Sequence, residues 1–426
     1  MPPSHLAHFP AQRVAYLNIY QDESKAPVWE QAMFVVWFFA LYLPLPQFSL
    51  IRYACILVML GMFAWHHRDS LPILGKSWYL LPYPIFATFS IFWTGYPQEA
   101  IRSAGLLLLT PILLVVVAIR LRPTELLRVL TISGALAALY CVPYFATLAD
   151  GGPYEQKNLL AYQMMIVTLV CFATALNSKE INTIRLLGLF AAPLAFVIQL
   201  NADSATSLVF AVLGMVVLLG VKVFWLSVSN VMHLRTFMLA LIFILLLTVG
   251  LILLSMPQNT FVADFLDMVG KDGTLTGRTG IWNAAELVSK EHPWIGVGLE
   301  GFWQRNVGLA QTLNELNHSD PGAKISFHSA FWEVRVHFGF IGLAFFLLTM
   351  VWAGVRTLAL WLRDGSIVNS AFLIFYCIIA ASCFTESYPA GTSSTIVTVF
   401  YFGAFAAFDI GSRKMVGRAR LVQNEN

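Results

Sequence analysis

The chain has 426 residues, of which 58% are hydrophobic and 12% are charged, and its mean hydropathy is +0.71. Soluble domains carry about twice this share of charged residues, so the composition excludes a soluble globular protein and indicates an integral membrane protein. The formal net charge of +3 arises from short flanking segments, and it gives no reason to expect a nucleic-acid partner.

Residues 1–29 are polar and mixed in charge. They lack a short apolar core followed by a small-residue cleavage site, so we expect no signal peptide and assign them as a cytoplasmic N-terminal segment. Five cysteines lie in or at the ends of apolar runs without zinc-type pairing, which is typical of small core residues: Cys55, Cys141, Cys171, Cys377 and Cys383.

Apolar runs long enough to cross about 30 Å of hydrocarbon recur along the chain, and no short segments alternate polar and apolar residues as barrel strands do. The predicted fold class is therefore an all-α polytopic membrane protein. Twelve transmembrane helices are predicted, nine within 30–256 and three within 338–411. Their bounds are 30–46, 51–66, 79–95, 103–120, 125–147, 158–177, 185–201, 205–225, 237–256, 338–361, 367–386 and 392–411.

Positively charged loops resist translocation, so the distribution of Lys and Arg predicts the orientation. With a cytoplasmic N-terminus, seventeen of the 26 Lys and Arg lie on the cytoplasmic side, and six of the other nine lie in the loop 257–337. We therefore expect the N-terminus and the 412–426 tail in the cytoplasm. The long loop is expected outside the inner membrane, in the periplasm of a cell that has one.

The loop 257–337 is far longer than a connection between two membrane helices requires, which indicates a folded, functional insertion. Helical apolar spacing is predicted over 281–289, and the HPWIGVG stretch (292–298) supplies a proline stop and a glycine-rich turn. The loop holds nine carboxylates against six Lys and Arg. An anion bound there therefore needs specific side chains rather than a general positive field.

A second helix is predicted in this loop from residue 329, running straight into the tenth span. Its spacing places His328, Trp332 and Arg335 on one face, while Glu333 and His337 share another.

Four shorter outward connections are unusually polar: 95–103, 149–158, 201–207 and 385–394. Together with the long loop they are expected to enclose a pocket at the outer membrane face. Charged residues at this depth are costly beside lipid and are functional candidates by default, although each alone fits an interfacial residue reaching into water equally well. These candidates are Arg102, Lys157, Asp203 and Glu386.

Five stretches of these segments resemble the O-antigen ligase and polysaccharide polymerase superfamily, particularly its exopolysaccharide polymerase-like branch of membrane GT-C-type glycosyltransferases. They are GYPQEAIRSAGLLLL (95–109), YEQKNLLAYQM (154–164), LTGRTGIW (275–282), HPWIGVGLEGFW (292–303) and HSAFWEVRVHFGFIGL (328–343). Each stretch is short, so their order on a twelve-helix frame carries the resemblance.

The resemblance implies a metal-independent glycosyltransferase that needs no cofactor and works at the periplasmic face of the inner membrane. Its partners would be a polyprenyl-diphosphate-linked glycan donor, a glycan or glycolipid acceptor and membrane lipid, with a flippase or a chain-length regulator as candidate assembly proteins. Where many relatives have a Ser-Arg pair after the seventh span, this chain has NADSATS. Another cation must then take that share of the diphosphate.

A lipid diphosphate gains negative charge as it leaves the anomeric carbon, and fixed cations must meet that charge. No Asp-x-Asp pair for a metal occurs on the outward side, whereas arginine offers a planar fork that matches phosphate oxygens. Arg278 is the leading candidate, since its Gly-flanked turn leads into a helix; the alternative is a surface arginine. Lys157, Arg102 and Arg335 are further substrate-binding candidates, with interface anchoring or a loop ion pair as alternatives.

The attacking hydroxyl needs a base with a near-neutral pKa, which favours histidine. His328 stands at the family's histidine position and is the predicted base or hydroxyl-orienting residue; a helix cap or a packed core histidine is the alternative. Glu300 and Glu386 are predicted to orient His328 or an acceptor hydroxyl. Trp282 and Trp332 are predicted to stack on sugar rings, although aromatic residues at this depth more often form the interface belt.

Three functions stay open on this reasoning. The leading one is a polymerase that joins lipid-linked repeat units. A ligase that moves a finished glycan onto lipid A-core or a protein uses the same donor and the same chemistry, and the QKN and TGRTGIW stretches favour the polymerase over it. A glycolipid transporter is the third, and it would place charges inside the spans or paired broken helices at the midplane.

Overall fold

The computed structural model describes residues 26–154, 156–225, 278–391 and 396–403. Every regular element in these ranges is a helix, which confirms the all-α class. Helices α1 to α13 are Val28–Tyr42, Ser49–Trp65, His67–Lys76, Pro82–Phe89, Pro97–Arg120, Pro123–Cys141, Lys157–Leu176, Asn182–Asn201, Ala205–Gly220, Arg278–Glu291, Gly308–Leu316, Ala330–Arg363 and Ile367–Ser382. Residues 396–403 are helical as well.

The helical segments confirm a multi-pass membrane protein. Seven are long and apolar enough to cross a membrane: Pro46–Trp65, Pro97–Arg120, Pro123–Asp150, Lys157–Leu176, Asn182–Asn201, Ala205–Phe224 and Ala330–Arg363. Three shorter apolar segments, Val28–Tyr42, Trp78–Phe92 and Ile367–Ser382, coincide with further predicted spans. The predicted ninth span (237–256), most of the N-terminal segment, the start of the long loop and the C-terminal tail lie outside the described residues, so the count of twelve stays a prediction.

One end of the bundle is held by buried ion pairs. The Arg120 guanidinium at the end of α5 donates to both carboxylate oxygens of Glu30 in α1, at 2.7 and 2.8 Å. Arg128 in α6 donates to Glu180, which lies between α7 and α8, at 2.8 Å. Both carboxylates are almost fully buried. Removing either partner would leave an uncompensated buried charge, so these pairs hold the helices together at the predicted cytoplasmic end.

The cysteines fit the packed interior with one exception. Four of the five are buried, but Cys377 is exposed on the surface of α13, so its assignment as a core residue is wrong.

Helix α12 is not the straight helix that the sequence predicted. At Gly339 the backbone turns to φ 63° and ψ −162°, a conformation that glycine alone adopts readily. The break removes helical partners from nearby amides and carbonyls, and the turn at 293–298 replaces them with four backbone hydrogen bonds. Val297 and Gly298 donate to the carbonyls of Val336 and His337 at 3.0 and 2.8 Å, and Phe340 and Ile341 donate to those of Pro293 and Trp294 at 2.8 and 3.1 Å.

The described part of the long loop folds around a small apolar core of its own. Helix α10 contributes Ile281 and Ala285, α11 contributes Leu313, and Phe302 and Phe327 pack between them. The helix predicted over 281–289 is therefore confirmed as part of α10. Because the loop is packed internally and bonded to α12, it holds its side chains in fixed positions over the end of the bundle.

We predict that Gly339→Ala destabilises the protein. A Cβ at Gly339 would lie 2.3 Å from the carbonyl carbon of Trp294, and its φ of 63° is strained for alanine, which together cost roughly 2–5 kcal/mol. The measurement is the midpoint of thermal unfolding in detergent. Gly61→Ala in α2 is the matched control, since nothing lies within 4 Å of its Cβ position. Equal unfolding midpoints for the two variants would show that the backbone break in α12 does not require glycine at position 339.

Candidate active site

A cavity of about 600 Å³ lies at the end of the bundle opposite the Glu30 and Glu180 ion pairs. Helices α1, α2, α5, α7 and α12 form much of its wall, together with the long loop. The connections 95–103 and 385–394 also contribute, as the sequence predicted. No described residue of 149–158 or 201–207 lines it, so the prediction for those two connections is wrong.

The segment after the 293–298 turn is bonded to the end of the 78–92 helical segment. The Leu299 N–H donates to Ser90 Oγ at 2.9 Å, and the Thr94 hydroxyl donates to the Leu299 carbonyl oxygen, also at 2.9 Å. The next residue, Glu300, has a left-handed φ of 58° and lines the cavity. These contacts fix the point at which the loop enters the cavity wall.

Glu300 is held as a carboxylate by two donors. Its Oε1 accepts from the Ser103 hydroxyl at 2.6 Å, and its Oε2 accepts from Lys324 Nζ at 2.7 Å. Burial raises the pKa of Glu300, but the hydrogen bonds from Lys324 and Ser103 outweigh it, and the pKa lies below its ordinary value. These partners are not the predicted one, because Glu300 contacts Lys324 instead of His328.

Glu333 and His337 form an acid–base pair one turn apart on α12, as the predicted helix face implied. Both line the cavity. His337 Nδ1 lies 2.9 Å from the Glu333 carbonyl oxygen and 3.6 Å from Glu333 Oε1. Glu333 Oε2 accepts from the Phe327 N–H at 3.0 Å and from the Ser387 hydroxyl at 3.2 Å. A proton on Nδ1 would leave His337 Nε2 as a hydrogen-bond acceptor.

Two arginines line the same cavity from α2 and α5. Arg102 Nη2 donates to the Tyr53 hydroxyl at 2.6 Å. Arg52 Nη1 lies within 3.4 Å of three carbonyl oxygens at the end of α1, those of Ala40, Leu43 and Leu45. Within the described ranges neither guanidinium forms an ion pair with a carboxylate.

Three buried polar atoms of cavity-lining residues have no hydrogen-bond partner among the described residues. They are the indole N–H groups of Trp37 and Trp303 and the amide oxygen of Gln163. Buried polar groups are normally paired. All three atoms are buried from solvent, so they lie behind the surface of the cavity and not on it.

Arg278, Glu386 and His328 come together beside this cavity. Arg278 Nη1 donates to the Thr385 carbonyl oxygen at 2.9 Å, and Arg278 Nη2 lies 3.5 Å from Glu386 Oε1. His328 Nδ1 lies 4.0 Å from Glu386 Oε2 and has no hydrogen-bond partner in the described part of the chain. The buried Glu386 carboxylate thus faces both predicted catalytic residues, and its orienting role stays a prediction.

His328 lies just before the helix that the sequence predicted from residue 329. Helix α12 begins at Ala330, after Ser329, and His328 has a left-handed φ of 48°. The Ala330 N–H donates to the carbonyl oxygens of Cys383 and Glu386 at 2.9 and 3.0 Å. This contact holds the start of α12 against the segment that carries Glu386.

Three other predicted substrate-binding residues are not among those that line the cavity, namely Lys157, Arg335 and Trp332. Lys157 lies 3.7 Å from exposed Asp203 at the start of α7. The Arg335 guanidinium lies over the rings of Trp332 and Phe340, with centroid distances of 5.0 and 4.7 Å. These contacts hold Arg335 and Trp332 together, and the expected reach of Arg335 to the His328 site stays a prediction.

Trp282 also has a structural partner. Its indole N–H donates to the Phe327 carbonyl oxygen at 2.8 Å, which joins α10 to the segment that precedes α12.

The sequence reasoning missed Arg52, Lys324, Glu333 and His337 as site residues. The signal for Glu333 and His337 was their shared helix face. Arg52 was one of three outward Lys or Arg outside the long loop, and the other two, Arg102 and Lys157, were already candidates. Among the described residues no group of three or more His, Cys, Asp or Glu side chains is arranged to hold a metal ion.

Comparison with known proteins shows which family the chain resembles. A family model described as O-antigen ligase matches residues 188–347, which include Arg278 and His328 but neither Arg52 nor Arg102. The exopolysaccharide production protein ExoQ of Rhizobium meliloti (strain 1021) is 25% identical over 366 residues, which cover 83% of this chain and 80% of that protein. The chain is therefore similar to members of the O-antigen ligase and polysaccharide polymerase superfamily.

Proposed function

We propose that the protein is a membrane glycosyltransferase that polymerises polyprenyl-diphosphate-linked oligosaccharide repeat units. The reaction takes place at the outer face of the inner membrane, with the cavity open to the periplasm, and it requires neither a metal ion nor a cofactor. The family supports a membrane polymerase-like or ligase-like role. The observation that carries the proposal is the cavity of about 600 Å³, which is lined by the charged side chains of Arg52, Arg102, Glu300, Lys324 and Glu333 among apolar residues. Its size is within the usual range of small-molecule sites.

A glycan suits the chemistry of the cavity wall. Sugar hydroxyls both donate and accept hydrogen bonds, so they can pair with the carboxylates of Glu300 and Glu333 and with the Lys324 ammonium group, which line the cavity. These charged groups favour a hydroxylated ligand over an apolar one, because an apolar ligand would displace water from them without replacing its hydrogen bonds.

In the proposed reaction the acceptor hydroxyl oxygen forms a bond to the anomeric carbon of the donor. The bond between that carbon and the diphosphate oxygen breaks, and the lipid diphosphate leaves with the bonding electrons. His328 accepts the hydroxyl proton and later releases it to water. Glu386 orients the His328 ring, because its Oε2 lies 4.0 Å from Nδ1 and this leaves Nε2 to meet the hydroxyl.

Arg278 supports this arrangement from the other side of Glu386. Its Nη1 and Nη2 face Thr385 and Glu386, so its first role is to hold the carboxylate in place. Its remaining N–H capacity stabilises the developing charge of the leaving group.

An O-antigen ligase that acts on lipid A-core or a protein is the second candidate, since it would use the same donor and the same residues. The name of the relative, an exopolysaccharide production protein, favours the polymerase. A glycolipid transporter is less consistent with the structure, because the break in α12 at Gly339 is filled by the backbone of 293–298. A flippase that delivers the donor and a chain-length regulator are the assembly partners that a polymerase would need.

Glycan analysis of a strain without this chain tests the polymerase proposal. We expect loss of long chains while lipid-linked single repeat units are retained, because unpolymerised donor has no other consumer. Accumulation of finished, lipid-linked polymer would instead identify a ligase. The control strain carries the wild-type chain in trans.

The second prediction concerns metal ions. Purified protein with a lipid-diphosphate donor should polymerise at an unchanged rate in excess chelator, because fixed side chains take the place of a metal in stabilising the leaving group. The measurement is product length and yield on a gel. A strict requirement for added magnesium or manganese would contradict the proposal.

The third prediction concerns the proposed base. His328→Ala should lower turnover about 10²–10⁴-fold, the usual contribution of general-base catalysis, while donor affinity and folded yield stay near wild type. Glu386→Gln should lower kcat with a smaller change in KM, since it loosens the ring without removing the base.

His292→Ala is the matched control for His328→Ala, because His292 is an exposed histidine of the same loop. It should leave turnover unchanged. If His328→Ala folds and makes full-length product at the wild-type rate, His328 is not the base. His337 on the cavity wall would then be the next candidate.

A further inference from the structure

We propose that Arg52 and Arg102 together bind the diphosphate of the lipid-linked substrate. The inference rests on the proposed function and adds to it the cation pair that holds the donor. Both side chains line the cavity, one from α2 and one from α5. Because they come from membrane helices at the cavity end, they place an anion at the depth where a lipid headgroup lies.

The two arginines carry the unbalanced positive charge of the cavity wall. Lys324 is paired with Glu300 at 2.7 Å, and His337 lies beside Glu333. By contrast, Arg52 and Arg102 have no carboxylate partner among the described residues. Two like charges in one cavity repel each other unless an anion lies between them.

At the opposite end of the bundle, arginines with a structural role are paired with buried glutamates. There Arg120 and Arg128 each donate to a buried glutamate at 2.7–3.0 Å. The cavity end departs from that pattern at both Arg52 and Arg102. Two arginines that no carboxylate of the protein neutralises can bind an anion from outside the protein.

Both guanidinium groups retain donors for a ligand. Arg52 uses Nη1 to cap the end of α1, and the described contact of Arg102 is the one from Nη2 to the Tyr53 hydroxyl. A guanidinium has five N–H groups in a planar fork, and this fork matches phosphate oxygens. The Tyr53 contact orients Arg102 without neutralising it.

An apolar pocket adjoins the cavity and favours a phosphate that is attached to hydrocarbon. It lies between α4, α5 and α12 and shares Tyr83, Leu107 and Gly391 with the cavity wall. Its other lining residues include Pro84 and Leu114. A lipid diphosphate would place its anion on the arginines and its first hydrocarbon units in this pocket, whereas free phosphate would use the arginines alone.

Ligand titration of the full-length protein in lipid nanodiscs tests the pair. The probes are undecaprenyl diphosphate, inorganic diphosphate and undecaprenol, and tryptophan fluorescence reports binding because Trp37 and Trp303 line the cavity. We expect Arg102→Gln and Arg52→Gln each to weaken undecaprenyl diphosphate binding by roughly 10–100-fold, the range for hydrogen bonds to charged groups. Undecaprenol binding should not change. Arg102→Lys should weaken diphosphate binding as well, since a point charge does not reproduce the fork.

Lys290→Gln is the control, because Lys290 is an exposed cation of the same loop whose described partner is Glu286. Arg52→Gln removes a contact with the end of α1 and could therefore lower the folded yield. Arg102→Gln removes no such contact, so a loss of binding in this variant reports on the ligand site and not on folding. If inorganic diphosphate binds as tightly as undecaprenyl diphosphate, the proposal that the site recognises a lipid-linked diphosphate is wrong. Unchanged diphosphate affinity in both arginine variants would overturn the pair.

The outcome is separable from that of the proposed function. His328→Ala should lower polymer formation and leave undecaprenyl diphosphate affinity within a few-fold of wild type, because His328 is proposed to act on the acceptor hydroxyl and not on the diphosphate. Arginine-dependent binding in a protein that forms no polymer would support the anion site and count against the polymerase. Polymer formation that is insensitive to both Arg52→Gln and Arg102→Gln would count against the site and leave the polymerase standing.

Discussion

The candidate site depends on four backbone hydrogen bonds between the break in α12 and the turn at 293–298. Backbone groups near hydrocarbon must be paired, and a break in a membrane helix is stable only where other groups replace the lost partners. Here the replacement joins the long loop to α12. On the loop side it leads to Glu300, and on the helix side it leads to Glu333 and His337. The same four hydrogen bonds therefore fix the position of the loop wall of the cavity relative to its α12 wall.

The two ends of the helix bundle differ in whether their arginines are paired with carboxylates. At one end Glu30 and Glu180 neutralise buried arginines, and the helices are locked together there. At the other end Arg52 and Arg102 line a cavity and have no carboxylate partner among the described residues. A charged group without a protein partner costs stability unless a ligand or water satisfies it. We therefore infer that stability and ligand binding are separated along the length of the bundle.

The Glu386 carboxylate connects the two parts of the proposed site. It lies between Arg278 and His328, and its neighbour Ser387 donates to Glu333 on the cavity wall. The proposed base is therefore adjacent to the cavity that would hold the glycan, and a proton accepted by His328 would be balanced by a nearby buried carboxylate. The proposed binding pair, Arg52 and Arg102, comes from two other helices, so binding and proton transfer use different elements of one enclosure.

By itself the sequence determined the all-α membrane class, the folded character of the long loop, the turn at 292–298 and the shared face of Glu333 and His337. These features follow from local causes, namely the length of apolar runs, the conformations open to proline and glycine, and the helical period. Only the tertiary structure decided that Glu386 lies between Arg278 and His328, that Arg52 and Arg102 share a cavity, and that Arg335 stacks on aromatic rings instead. Such contacts join segments far apart in the chain, and they depend on how the helices pack, which no local pattern encodes.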